Sequence, residues 1–451
     1  MTAAGAAGVG RAPTADPAPA DTGDGDTGGD DVAIHGAPHA HDVVIVADDV
    51  TGAGDTAVQF AEAGWTAELR LQPGGGDVQV VAVSSDSRAC PDAEAAERVL
   101  QAAAGTRANR MFKKIDSTVR GPIRAELDAL LGQLGPDAVA VVCPAFPGVG
   151  RTVVDGTVLV DGVPVGDTPV GRDPVTPVTE SHLPTLLGAA QVRLDPAGGP
   201  AEWAARLREA GPVVVVDAAT DDDLDRLARA LDVLGDGGLP VGAAGLAGAL
   251  ARRWRPAAPA TAPESAPAPT DPAAAVLVVV TSLHAAARAQ VQALVDAGAT
   301  HHRPTPDQLL DDGAWHALLE HLAHPPTATD TAASGPTTVV LSAPERGDTD
   351  VPPGLVAHRL ADAAAELVRT TEPAGLVVTG GDGARALLAG LGSSGIRLDA
   401  TGTDAGAGVA TGTVVGGRAE GLPIATKAGG FGESDVLITA ADAVRRRRSD
   451  R

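Results

Sequence analysis

Residues 43–60 read VVIVADDVTGAGDTAVQF. Val43–Ala47 is a short unbroken apolar run of the kind that forms a strand buried on both faces. Two carboxylates, a glycine-rich turn and an amphipathic stretch over Asp55–Ala63 follow it. A strand that ends in acids and turns into a helix opens a parallel α/β sheet, and such sheets bind ligands outside the carboxyl ends of their strands. Asp48 and Asp49 point in opposite directions on an extended backbone, so at most one faces a given ligand atom. Either can instead cap the next helix; Thr51 and Asp55 crowd the same turn. Gly52, Gly54 and Ala57 also satisfy a GxGxxA dinucleotide fingerprint. In a true fingerprint the turn follows the strand directly and an acid closes the second strand. Here two Asp intervene and the next strand runs into Arg70, Leu71 and Gln72, so an NAD(P)-dependent oxidoreductase is the weaker alternative.

Outward from this stretch, strands are expected at Val78–Val83, Met111–Ile115, Val139–Cys143 and Val213–Asp217, with helices at Ala93–Ala104, Gly121–Leu131 and Asp223–Leu234. The pattern repeats with strands at Val276–Thr281, Thr338–Leu341 and Leu376–Thr379 and helices near Ala285–Ala297, Leu355–Val368 and Gly383–Leu391. The fold class is α/β: two α/β lobes, each with a mostly parallel sheet. Gly150–Leu183, rich in Gly, Pro, Asp and Thr, reads as a long loop or arm with a hairpin in VLVDGVPV. An acidic tail (1–40) is expected to be disordered. It precedes a first lobe (41–255), a Pro-rich linker (256–273), a second lobe (274–444) and a basic tail (445–451), whose Arg445–Arg448 run reads as a solvated helix end.

The 451 residues carry 34 Lys plus Arg against 58 Asp plus Glu, a net charge of −24 that repels phosphate backbones and anionic membranes. Aromatic residues are 2% and Tyr is absent, which removes the stacking platforms of single-strand binders. Nucleic acid and membrane partners are therefore not expected. Cys90 and Cys143 form no metal spacing or disulfide framework, no long apolar span occurs, and Met1–Gly10 lacks the basic start of a secretory leader. A cytoplasmic location is expected.

Three further regions carry chemistry. In FKKIDSTVRGPIRAELDALL (112–131), Lys113, Lys114, Asp116, Ser117, Thr118, Arg120 and Arg124 concentrate cations and hydroxyls at a strand end. This suits an anion site, although a surface ion-pair patch would look similar. In residues 143–183, Arg151, Asp155, Arg172 and Asp173 can reach a cleft from a loop, whereas His182 reads as structural. In VVTGGDGARALL (377–388), Gly380, Gly381 and Gly383 open a helix whose amides can approach phosphate oxygens. Gly429, Gly430 and Gly432, past Lys427, offer a second close backbone approach. Either motif alone is explained by turn geometry; together they favour a nucleotide site. No GxxxxGK[ST], HExxH or GxSxG is present.

ADDVTGAGDTAVQFAEAG, KKIDSTVRGPIRAELDALL, CPAFPGVGRTVVDG, RDPVTPVTESHLPTLL, VVTGGDGARALL and GLPIATKAGGFGESD together resemble the four-carbon acid sugar kinase family over residues 42–442. KKIDSTVRG is closer to its threonate and erythronate branch than to its 3-oxotetronate branch. The resemblance implies a sugar-acid-binding N-terminal domain, a nucleotide-binding C-terminal domain, and ATP-dependent phosphorylation of a tetronate at its 4-hydroxyl. Mg²⁺ at the phosphates and closure of the lobes on each other are expected on the general grounds of phosphoryl transfer. Asp48, Asp49, Lys113, Asp116, Ser117, Arg120 and Arg151 match the family's sugar-lobe motifs; Asp49 or Asp116 is expected to act on the hydroxyl, the sequence not choosing between them, and Thr51 and Asp155 are read from their own turn and loop as further substrate contacts. Nucleotide contacts would come from Ser282, Gly380, Gly381, Asp382, Gly383, Lys427, Gly429 and Gly430. Where the family usually has Gly-Ser-x-Ser, this chain has Thr281-Ser282-Leu283-His284, leaving Ser282 to supply a hydroxyl. A sugar-acid-binding protein with a degenerate nucleotide site is the alternative this departure raises. A homo-oligomer is compatible with the sequence.

Overall fold

The computed structural model describes residues 41–73, 76–173, 175–256, 274–323, 337–344, 351–400 and 408–449. The acidic stretch 1–40 and the Pro-rich stretch 257–273 lie outside the described residues. The first lobe runs β1 (His41–Ala47), α1 (Val50–Glu62), β2 (Ala67–Arg70), β3 (Val80–Ser84), α2 (Asp92–Ala104), β4 (Ala108–Lys114), α3 (Ile123–Leu134) and β5 (Val139–Cys143). The arm β6 (Arg151–Val154), β7 (Thr157–Val160) and β8 (Val163–Pro164) follows. Then come α4 (Leu183–Leu187), β9 (Ala190–Val192), α5 (Pro200–Ala210), β10 (Val213–Val216), α6 (Asp221–Leu234), β11 (Gly238–Gly242) and α7 (Ala244–Trp254). The second lobe opens with β12 (Val276–Val280), α8 (Ala285–Asp296), β13 (Thr300–His302), α9 (Pro306–Leu310), α10 (Asp312–Ala323), β14 (Thr338–Ser342) and α11 (Pro353–Thr371). It ends with β15 (Gly375–Thr379), α12 (Gly381–Gly390), β16 (Gly395–Leu398), β17 (Val409–Val415), β18 (Pro423–Lys427) and α13 (Val436–Ser449).

The strand runs read as buried are buried. Val43–Ala47 and Val276–Val280 are covered throughout, because helices lie on both faces of a parallel sheet. α1 starts five residues earlier than Asp55, since Asp49 caps it: its Oδ1 accepts from the Gly52 amide at 2.8 Å. Arg445–Arg448 continue α13 rather than leaving the fold as a tail, and Arg445 pairs with Asp442 at 2.8 Å.

The two lobes do not hold separate sheets. One fifteen-stranded sheet crosses the chain in the order β13-β14-β12-β15-β18-β17-β16-β2-β3-β1-β4-β11-β5-β10-β9. The seam is antiparallel: β16 pairs β2 with Ile396 opposite Leu69 and Leu398 opposite Ala67. Glu68, 1% exposed, sits on it and bonds Arg70 at 3.1 Å and Arg397 Nε at 3.0 Å. Because β16 and β17 each run antiparallel to both neighbours, the parallel blocks point in opposite directions. Sheet twist of about 20–25° per strand accumulates to the order of 130° over the six steps from β1 to β15. It swings the carboxyl ends of the two blocks toward each other.

Close backbone approach at the seam requires glycine at 395, where a β-carbon would lie 2.0 Å from the Leu69 carbonyl oxygen. Gly395→Val is expected to cost about 3 kcal/mol by overpacking, read as a lower urea midpoint. An unchanged midpoint would contradict main-chain continuity between the lobes.

Candidate functional site

The carboxyl ends of β1, β3 and β4 deliver charge to one point. Arg88, four residues past β3, donates from Nε and Nη2 to Asp48 at 2.7 and 3.0 Å and from Nη1 and Nη2 to Asp49 at 3.0 and 2.8 Å. Its Nη2 is also 3.8 Å from Asp116 Oδ1. Asp49 in addition accepts from Thr51 Oγ1 at 2.6 Å. Burial opposes ionisation of Asp48, but the Arg88 guanidinium outweighs it and holds the carboxyl below its ordinary range. Arg88 itself stays charged. The sequence reading passed over Arg88, although SSDSR ends a strand as ADD does, and the rule that located Asp48 applies equally there.

Asp116 is gripped from the other side. Arg120 forks onto it from Nε at 2.7 Å and Nη2 at 3.1 Å, and Thr118 donates to its Oδ2. Burial works against the charge, yet Arg120 and Arg88 hold the Asp116 carboxyl well below the usual range. Ser117 is buried beside it. Lys113, expected as a substrate contact, is fully buried, and its charge is matched in the core by Glu126, 3.0 Å from Nζ. Alternation along β4 turns Lys113 into the core and Lys114 to the opposite face, where Lys114 Nζ bonds the Ile115 carbonyl at 2.8 Å. A β-carbon on Gly52 would meet Asp49 Oδ1 at 2.5 Å and Lys114 Nζ at 2.9 Å. Gly52 and Gly54 therefore belong to a packed helix turn, Gly54 lying against Thr426 and Ala410 of the second lobe, and not to an open dinucleotide loop.

Asp155, expected as a substrate contact, lies in the arm. Asp155-Gly156 and Asp161-Gly162 are the two-residue turns of the arm, all four with positive φ (51°, 73°, 51° and 81°), the type I′ geometry that Asp-Gly favours. The Asp155 carboxylate is exposed and pairs with Arg193. Arg151 is placed differently: its guanidinium lies 4.6 Å over the Phe431 ring of the second lobe, and its buried Nε has no hydrogen-bond partner. Asp173 pairs with Arg120 Nη1 at 3.6 Å. His182 bonds Thr185 Oγ1, and Arg124 pairs with Asp128.

In the second lobe the loops after β12, β15 and β18 meet. Thr281 Oγ1 bonds the Thr379 carbonyl at 3.1 Å, and β-carbons on Gly380 and Gly383 would come within 2.5 and 2.3 Å of it. Gly380 has φ 102°. A β-carbon on Gly429 would lie 2.0 Å from Ser282 Oγ, and one on Gly430 3.4 Å from His284. Lys427 is fully buried with Nζ 2.7 Å from the Ala428 carbonyl, and burial pushes its pKa down to about 8. Gln290 Nε2 holds the Phe431, Gly432 and Glu433 carbonyls at 3.0, 3.0 and 3.1 Å.

The two clusters touch. A β-carbon on Gly381, at the start of α12, would be 3.2 Å from Asp49 Oδ2 and 3.7 Å from Thr51 Oγ1. Burial, Arg120 and Lys427 all push the His284 imidazole below its ordinary range, which sets cations of both lobes around it. Asp382, in the first turn of α12, is pushed up by burial and by Asp86 and Asp49. Among the described residues no three His, Cys, Asp or Glu are grouped so as to hold a metal ion, and no helix is long and apolar enough to cross a membrane.

Arg88→Met would leave Asp48 buried and Asp49 half-buried without that cation, at a cost of about 3–5 kcal/mol near pH 7. In the native chain the depressed Asp48 pKa adds stability above the ordinary carboxylate range and loses it as pH falls through the lower folded value. In the variant, burial, the largest influence on Asp48, is opposed only by the weaker fields of Lys114 and Lys113 and moves that pKa upward, so the deficit should shrink between about pH 7 and about pH 4.5. Urea midpoints at the two pH values check this; a constant deficit would contradict it.

A model of a sugar-binding N-terminal domain matches residues 43–250, and one of a nucleotide-binding C-terminal domain matches residues 277–437. The chain is 48% identical over 420 residues to a D-threonate kinase of Bordetella bronchiseptica, covering 90% of this chain and 98% of that one. It is 32% identical over 436 residues to a D-erythronate kinase of Heliobacterium modesticaldum, with 89% and 96% covered. A crystal structure from Salmonella typhimurium, described as a putative tRNA synthase, aligns with a TM-score of 0.70 at 23% identity over 88% of this chain and 98% of that one, a likeness of fold alone. With both domain models in tandem and near full-length likeness to these kinases, this chain belongs to the four-carbon acid sugar kinase family.

Proposed function

We propose that this chain transfers the γ-phosphoryl group of ATP to the 4-hydroxyl of D-threonate. The observation that carries this reading is the meeting of the Asp49–Thr51 turn with the glycine-rich start of α12. That contact between the lobes supports transfer from a phosphate bound at the helix N-terminus to a hydroxyl held beside the Asp49 carboxylate. D-Threonate is chosen because the relative 48% identical over nearly the whole chain is a D-threonate kinase.

Phosphoryl transfer depends mainly on positioning and charge neutralisation. The amides of Gly381, Asp382 and Gly383 and the buried Lys427 face the triphosphate. Arg120 and the unpaired Nε of Arg151 are donors for the sugar-acid carboxylate. Asp49 orients the hydroxyl. Asp116 is less suited to take a proton, because two guanidiniums hold it strongly acidic; it serves to fix Arg120 and Arg88. Among the described residues no three carboxylates are grouped to hold a metal ion, so a Mg²⁺ would be carried on the nucleotide's own phosphates and would supply charge neutralisation there.

An ADP-release assay over D-threonate, D-erythronate, their L-isomers and 3-oxotetronate should give the highest kcat/KM with D-threonate. Faster turnover of another acid would overturn the substrate assignment, and no release with any of them would overturn the kinase reading. Because a buried Lys427 with a pKa of about 8 loses its proton above that pH, the KM for ATP should rise there. Lys427→Met should raise the KM for ATP at neutral pH and flatten this dependence; an equally steep rise in the variant would exclude Lys427 as its source.

A further inference from the structure

Beneath the Arg88 cluster lies a buried polar chain that phosphoryl transfer does not use. Glu126 of α3 is 1% exposed, and its two carboxylate oxygens are divided between different strand ends. Oε2 is 3.0 Å from Lys113 Nζ, which also donates to the Lys114 carbonyl at 3.0 Å. Oε1 accepts from Ser87 Oγ, the residue before Arg88. Ser85 Oγ can give its proton to Ser87 Oγ, 2.7 Å away, and the Ser85 amide donates to the Ala47 carbonyl at 2.8 Å, one residue before Asp48. One carboxylate thus ties the ends of β1, β3 and β4, and those ends carry Asp48 and Asp49, Arg88, and Asp116.

We propose that Glu126 is a positioning residue that sets the reach of Arg88 toward Asp48, Asp49 and Asp116 through Ser87 on one side and Lys113 on the other. This rests on the functional reading above, in which that cluster receives the sugar acid. A buried ion pair by itself contributes little net stability over an apolar pair of similar size, so stability does not account for it. Geometry does: all members are buried, and each bond ends on the backbone or on a neighbour of a charged residue at the site. The same arrangement explains why a lysine lies fully buried at 113 while its neighbour, Lys114, faces the other side of the sheet.

Two variants separate positioning from folding. Ser87→Ala removes the link to the Arg88 loop and leaves the Lys113–Glu126 pair. Lys113→Met with Glu126→Leu replaces the pair by apolar side chains and should melt within about 5 °C of the parent. Both should lower kcat/KM for D-threonate by about 10- to 100-fold while the KM for ATP stays unchanged. Both should also speed hydrogen exchange in residues 84–91 selectively, at temperatures well below melting. Unchanged kcat/KM in both variants, or exchange that rises uniformly along the chain, would overturn the proposal. If the parent turns over no four-carbon sugar acid, the functional reading fails, and selective exchange in 84–91 alone decides the positioning role.

Discussion

Everything at the carboxyl edge of the first lobe depends on one guanidinium held among three carboxylates. In a chain of net charge −24, Asp48, Asp49 and Asp116 could not share a mostly buried space unless a cation lay between them. Arg88 does this with its planar fork, bonding both oxygens of Asp48 and both of Asp49 while approaching Asp116. The same carboxylates then do local work: Asp49 caps α1, and Asp116 fixes Arg120. Charge compensation, helix capping and the placement of cations for an anionic ligand are one arrangement.

The second constraint is the seam. Two lobes joined only by a linker would have to find each other by side-chain contact, but here the β2–β16 ladder pairs them through main-chain bonds. Twist across the sheet does the rest, turning oppositely directed parallel blocks until their carboxyl ends face. Gly54 against Thr426, Gly381 against Asp49, and Arg151 over Phe431 are contacts between the lobes away from the ladder. The steric demand for glycine falls on the seam itself, at Gly395, where a β-carbon would lie 2.0 Å from the Leu69 carbonyl oxygen.

Much of the architecture was legible in the chain. Val43–Ala47, Val139–Cys143 and Val276–Val280 announce themselves as strands because burial on both faces demands unbroken apolar runs. The Asp-Gly pairs of the arm announce turns for an equally local reason, the positive φ that Asp and Gly tolerate. Less legible were β2 and β16, whose Glu68 and Arg397 look like surface until they are paired across more than three hundred positions of sequence. Lys113 misleads for the same reason. A lysine reads as exposed, and only the packing of α3 on β4 supplies the Glu126 that lets it be buried.

From the order of residues alone came the strand–turn–helix units, the acids and cations at strand ends, the glycine loops of the second lobe and the resemblance that joins them. These follow from local periodicity and from residue types whose chemistry does not depend on distant neighbours. Tertiary structure alone decided that the lobes share one sheet, that Arg88 organises the acids, that Lys113 pairs with Glu126 and Asp155 with Arg193, and that Asp49 meets Gly381. Each of these is a relation between residues far apart in the chain, set by register, twist and charge compensation, which no local pattern encodes.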